Sequence, residues 1–259
     1  MTSSSNDEVL VSADGRVGRI TLNRPEAKNA ITVELSHGLA AAVRELETDV
    51  DVIVVRGAGG TFCAGGDVAQ LDQLRAKGRD DLATMFSAFR DARAAIAGAE
   101  VPVVAVVEGH AVAGGFELLL SCDIVLAAES AVLSDIHARF GQIPGGGGTQ
   151  LLPRLVGLSR ASGLVLTGDS LTARQALEWG LVYAVAADSE LETELDSLLK
   201  RLTARGSRAA RTQSKRLMRA GLEMPLEHGL DLEAEAVIDH ILGDAGQAAT
   251  DAFTNRKDS

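Results

Sequence analysis

Apolar positions recur along this chain at two periods, and each change of period marks an element. Apolar residues over 9–11 and 17–22 flank Asp14-Gly15, which predicts a β-hairpin. The polar stretch Asn23-Arg24-Pro25-Glu26-Ala27-Lys28-Asn29-Ala30 reads as a loop. Leu35, Leu39, Val43 and Leu46 then follow at three- and four-residue spacing, predicting a helix over about 32–48. A short buried strand over 52–56 leads into Thr61-Phe62-Cys63-Ala64-Gly65-Gly66-Asp67, a glycine turn that opens one helix from about Asp67 and a second over about 80–97.

The order strand, glycine turn, helix then recurs. An apolar run over 101–107 precedes Gly109-His110-Ala111-Val112-Ala113-Gly114-Gly115-Phe116-Glu117, with a helix expected over 117–121 and a strand over 124–127. The stretch 133–140 reads as irregular or extended. A third glycine loop, 141–148, opens a helix at Thr149 that Gly157 ends. From about Glu190 onward the pattern is wholly helical, with Gly206, Gly221 and Gly243 as breaks. These patterns predict an α/β chain with a tail over 1–8, a spiral of β-β-α turns over 9–190 and a helical C-terminal region over 191–259.

Composition narrows the function. The 259 residues carry a net charge of −11, which argues against a general nucleic-acid or membrane-surface binder because those partners are anionic too. No uncharged run approaches membrane-spanning length, and no basic segment with an apolar stretch opens the chain. Two cysteines, Cys63 and Cys122, do not make a disulfide framework, so a reduced, cytoplasmic setting is expected. Cys63 reads as a small packed thiol in preference to a nucleophile.

The chemistry gathers at the glycine turns. A backbone free of side chains just before a helix can point N–H groups at a developing negative oxygen. Two such turns brought together would hold a thioester enolate. Glu117 follows Gly114-Gly115 among Phe116, Leu118 and Leu119, which supply no salt bridge. A carboxylate desolvated in this way has a raised pKa and suits general acid–base work; the alternative is a charge that only stabilises the helix start. Asp67 reads first as a helix cap, and Asp123 and His110 as structural. Arg208, Arg211, Lys215 and Arg219 make a basic stripe at helical spacing, open to two readings: a salt-bridge face or an attractor of phosphates.

The phrases at 23–30, 62–67, 109–118, 121–123 and 143–150, in this order, resemble the enoyl-CoA hydratase/isomerase, or crotonase, family. The resemblance implies a crotonase-like superhelix, assembly as homotrimers or dimers of trimers, and an acyl-CoA thioester as substrate. It implies no metal and no organic cofactor, CoA being part of the substrate. By motif position, Gly66 and Gly114 match the two oxyanion-hole donors and Glu117 the first catalytic glutamate. Lys28, Ala64, Asp67, Val68, Ala113, Pro144 and Gly145 fall where the family binds its substrate.

One position departs from the pattern. Hydratases of the family carry a second glutamate seven residues before the matching proline, and counting back from Pro144 gives His137. His137 is open to three readings: an acid–base group that Asp135 could orient, a pocket-shaping side chain, or a surface histidine beside Arg139. Gly145 stands where diene isomerases and aromatic dehalogenases of the family carry aspartate, which disfavours both reactions. The resemblance points to enoyl-CoA hydration or double-bond isomerisation. Thioester hydrolysis, C–C cleavage and non-catalytic acyl-CoA binding stay open as alternatives.

Overall fold

Alternating buried and exposed residues build the opening hairpin, β1 (Val9–Asp14) and β2 (Val17–Leu22), paired antiparallel across a turn in which Gly15 takes a φ of 56°. The computed structural model describes residues 8–204 and 207–255. Helix α1 (Val33–Leu46) starts at Thr32, whose hydroxyl accepts the N–H of Leu35, and it buries Leu35, Leu39, Val43 and Leu46. Strand β3 (Val52–Gly57) is followed by α2 (Val68–Lys77) and α3 (Arg79–Gly98). Next come β4 (Val103–Val107), β5 (His110–Val112), α4 (Gly114–Leu119), β6 (Ile124–Ala128) and β7 (Val132–Ser134). A 3-10 turn, His137–Phe140, leads to α5 (Gly148–Val156) and α6 (Leu158–Thr167), then β8 (Ser170–Thr172), α7 (Ala173–Glu178) and β9 (Ala184–Ala186). The chain closes with α8 (Leu191–Ala204), α9 (Arg208–Gly221), α10 (Leu226–Leu242) and α11 (Asp244–Asn255).

The strands form a six-stranded sheet in the order β1-β2-β3-β4-β6-β9, parallel except for the hairpin, and a small second sheet, β5-β7-β8. Every residue of β4 is buried, as a parallel strand covered on both faces requires. The mixed α/β class agrees with the expectation from sequence.

Several local expectations change. Residues 133–140 are not a continuous extended segment: β7 stops at Ser134 and the chain turns at Ile136 (φ −87°, ψ 3°) into the 3-10 turn. Helix α4 starts three residues earlier than its apolar residues suggest, at Gly114. The tail expected over 1–8 falls, for residues 1–7, outside the described residues, as does the break expected at Gly206. Glu8 is held, its carbonyl accepting the N–H of Asn23 at 2.7 Å and its carboxylate meeting Arg24 at 3.1 Å.

The basic stripe on α9 turns to the chain's own body, where carboxylates and carbonyls engage it, as the salt-bridge reading expects. Lys215, only 5% exposed, donates to the carbonyls of Ile96 and Val101 and meets Asp123 at 2.8 Å. Arg219 reaches the other Asp123 oxygen at 2.7 Å, Arg211 pairs with Asp51, and Arg208 donates to the carbonyl of Thr48. Asp123 also accepts the N–H of Val103, so it joins β4 and α9. Asp123→Ala leaves the Lys215 ammonium buried without its anion. It should cost about 3–5 kcal/mol, read as a lower urea midpoint with the slope preserved; an unchanged midpoint would show that the latch carries no stability.

Candidate active site

The first two glycine turns are stitched side by side. Cys63 donates its N–H to the carbonyl of His110 and accepts from Val112, both at 3.0 Å, while Phe62 donates to Glu108. A third contact joins the polar loop, because Ile31 donates to Gly65 and accepts from Asp67, and Ala64 donates to Lys28. Asn29 pins that loop: its side-chain amide donates to the carbonyls of Ala58 and Thr61 and its oxygen accepts the N–H of Arg24.

Glycine is obligatory where the turns cross. A Cβ at Gly115 would lie 2.2 Å from the carbonyl oxygen of Cys63. Gly65 takes a φ of 100°, and a Cβ there would meet the Ala113 methyl at 2.8 Å. Ala113 is itself left-handed at φ 50°. The crossing brings the N–H groups of Gly66 and Gly114 together: a Cβ placed on Gly114 would be 3.4 Å from the Gly66 nitrogen. Among the described residues, neither N–H has a hydrogen-bond acceptor in the protein. Cys63 is fully buried beneath them, and burial pushes its thiol up to about 12, so it sits there as a packed, protonated side chain.

These two donors open on a cavity of about 450 Å³. Of the residues singled out in the sequence, Ala64, Gly66, Val68, Ala113, Gly114, Glu117, His137 and Gly145 line it. Lys28, Asp67 and Pro144 do not. The Lys28 carbonyl accepts the N–H of Ala64, and its own N–H donates to Pro25. Asp67 is committed elsewhere, capping α2 through the Gln70 N–H and pairing with Arg24 at 2.9 Å. Leu71, Met85, Phe86 and Phe89 make much of the remaining wall apolar.

Glu117, 2% exposed, is gripped by the third glycine loop. Its Oε1 accepts the N–H groups of Gly146 at 2.7 Å and Gly148 at 2.8 Å. Side chains are excluded from that loop: a Cβ on Gly146 would lie 2.3 Å from Phe89, and one on Gly148 would lie 2.8 Å from Asp135. Burial raises the Glu117 pKa above the usual carboxylate range, although the two N–H bonds and His137 pull the other way.

His137 is partly buried on the same cavity, which does not fit a surface role; its ring nitrogen Nδ1 lies 2.6 Å from Oδ1 of Asp135. The contact anticipated for an extended strand is therefore made by a turn. Asp135 is fully buried, and its other oxygen, Oδ2, has no hydrogen-bond partner among the described residues. Burial by itself would lower the imidazole pKa, but the Asp135 hydrogen bond and charge, with Glu117 adding to them, raise it above the ordinary histidine value. With Nδ1 engaged, Nε2 is the nitrogen left for the cavity. Sequence reasoning did not find the Gly146 and Gly148 donors as partners of Glu117; the run of four glycines before Thr149 was the one available signal.

Known proteins resemble this chain in sequence and in fold. The family model described as enoyl-CoA hydratase/isomerase matches residues 12–259. The 2,3-dehydroadipyl-CoA hydratase of Escherichia coli is 37% identical over 233 residues, covering 88% of each chain. The crystal structure of enoyl-CoA hydratase from Bacillus anthracis superimposes with a TM-score of 0.90 at 30% identity, over 96% of both chains. A Thermobifida fusca protein solved in complex with acetoacetyl-CoA superimposes with a TM-score of 0.81 at 30% identity, over 91% of this chain and 95% of that one. This chain, with its crotonase fold, belongs to the enoyl-CoA hydratase/isomerase family.

Proposed function

We propose that this protein is an acyl-CoA enzyme that adds water to a 2-enoyl-CoA. The observation that carries this reading is that two unpartnered N–H groups, a buried carboxylate and an imidazole all face one cavity. The N–H groups of Gly66 and Gly114 hold the thioester oxygen and take up its charge as the enolate forms. Glu117 removes a proton from water as the water oxygen bonds to C3. His137, kept as the imidazolium by Asp135, gives a proton to C2. Glu117 then passes its proton back to His137, directly or through solvent, which closes the cycle with one water consumed.

The bound acetoacetyl-CoA of the Thermobifida fusca relative supports a CoA thioester as ligand. The reading calls on no metal and no organic cofactor, because the paired N–H groups supply the charge stabilisation. It extends to a homotrimer or a dimer of trimers as the assembly, and exposed Leu226, Ile241 and Leu242 on α10 suit helix packing between subunits. Double-bond isomerisation is the second reading. It is favoured by His137 standing in place of the hydratase glutamate, since one base, Glu117, suffices for that reaction.

Incubation with trans-2-enoyl-CoAs decides between them. Hydration adds the mass of one water; isomerisation leaves the mass unchanged. The hydration reading also fixes the pH dependence. Glu117 must be ionised, so activity falls as pH drops through its raised pKa. His137 must be protonated, so activity falls again as pH climbs through its raised value. The expected kcat/KM profile is a bell. In Asp135→Asn, burial of the imidazole is no longer opposed by that charge, so the alkaline limb moves to lower pH while the acid limb stays nearly in place. An alkaline limb that does not move would remove His137 from the proton transfers.

A further inference from the structure

Behind the acyl cavity lies a second groove, of about 680 Å³, that the reaction above does not use. Its wall includes Arg79, Arg90 and Arg93 and not one acidic residue, in a chain that carries 36 carboxylates against 25 basic side chains. Among the described residues, none of these three guanidinium groups makes an ion pair with a carboxylate. Arg93 is held in place through Nε, which donates to Ser121 at 3.0 Å, and by the Phe89 ring at 5.9 Å. Its terminal nitrogens would lie 2.6 and 2.8 Å from a Cβ on Gly147, so they reach the groove over bare backbone.

The groove and the acyl cavity meet. Phe86 and Gly145 belong to both walls, and the Phe86 ring packs so closely that a Cβ on Gly145 would lie 2.5 Å from it. Arg79, Phe86, Arg90 and Arg93 are spaced by seven, four and three residues, which puts them on one face of α3. Along the helix axis Arg90 is about 6 Å, and Arg93 about 10 Å, from Phe86. A chain leaving the apolar cavity past Phe86 therefore passes from hydrocarbon walls to cations without an ion pair, of which Arg93 also senses the Glu117 charge. A wholly hydrocarbon tail gains nothing from them.

We propose that the acyl group taken by this site ends in a carboxylate, which passes Phe86 and is paired in the groove by Arg90 and Arg93, Arg79 lining the groove on the other side of Phe86. This rests on the acyl-CoA reading above and adds the substrate class to it. Guanidinium groups suit a carboxylate because their planar fork offers two parallel donors.

Saturated esters test this without turnover. Hexanoyl-, octanoyl- and decanoyl-CoA are each compared by calorimetry with the ω-carboxyl ester of the same length, using the full chain. In at least one pair the dicarboxylic ester should bind about tenfold more tightly or better, as expected for one charge-assisted contact. That advantage should shrink as salt rises from about 0.05 to about 0.5 M. Arg79 and Arg90 are exposed, so Arg79→Gln/Arg90→Gln is expected to fold. In this variant, and in Arg93→Gln, the dicarboxylic ester should fall toward the affinity of its monocarboxylic partner. Esters that bind with no carboxylate preference at any length would overturn the inference and leave the acyl-CoA reading standing. A preference that survives both variants would also overturn it. Failure of every ester to bind would overturn both readings.

Discussion

Glu117→Gln should lower kcat for trans-2-enoyl-CoA by about 10³-fold, within the range for loss of a positioned acid–base group. Ester affinity should change little. The amide oxygen of glutamine can still accept the N–H groups of Gly146 and Gly148, so the loop that grips this residue keeps both bonds. What disappears is the carboxylate that takes the proton from water. Because the variant retains shape and packing, its melting temperature separates lost chemistry from lost fold. A variant with the wild-type rate would exclude Glu117 from the reaction under either hydration or isomerisation.

The second large effect is expected at the oxyanion donors. Gly114→Ala places a methyl 3.0 Å from the Ile31 side chain and 3.4 Å from the Gly66 nitrogen, beside the donor the oxygen must reach. The thioester oxygen could then no longer approach both donors. The expected loss in kcat/KM is about 10²–10³-fold, the range found when an oxyanion-hole donor is removed. The accompanying loss of stability should be modest, about 1–3 kcal/mol for a small overpacking, because Ile31 ends in a flexible methyl. Steady-state kinetics alongside thermal melting distinguishes the two. A rate within a few-fold of wild type would show that the carbonyl sits elsewhere.

Much of this arrangement is legible from the sequence where the controlling interactions are local. The hairpin is written in alternation around Asp14-Gly15, and α1 in its spacing and its Thr32 cap. The glycine turns are legible because the close approach of Gly115 to Cys63 excludes any side chain. What stays hidden depends on distant partners. Strands β5, β8 and β9 are three residues each, too short for a period to show, and exist through pairing with β7 and β6. The Asp135–His137 contact is correct as a pair but wrong in its geometry, because a turn at Ile136, not an extended strand, brings the side chains together. The grip on Glu117 comes from residues 29 and 31 positions away. The basic stripe on α9 has helical periodicity, but only the tertiary fold shows that Asp123 and Asp51 claim it. Lys28 and Asp67 belong to the family's substrate-binding phrases; the Lys28 backbone also holds the neighbouring loop and the Asp67 carboxylate the start of α2.

The central claim is that Gly66 and Gly114 hold a thioester enolate whose C2 proton His137 moves while Glu117 serves the water. Deuterium entry at C2 of a 3-hydroxyacyl-CoA in D2O, followed by mass spectrometry with wild type and His137→Gln, tests it most directly. The account predicts exchange at C2 with the wild type and its near-complete loss in the variant. An ester that binds but never exchanges, or exchange that is equal in both proteins, would contradict it.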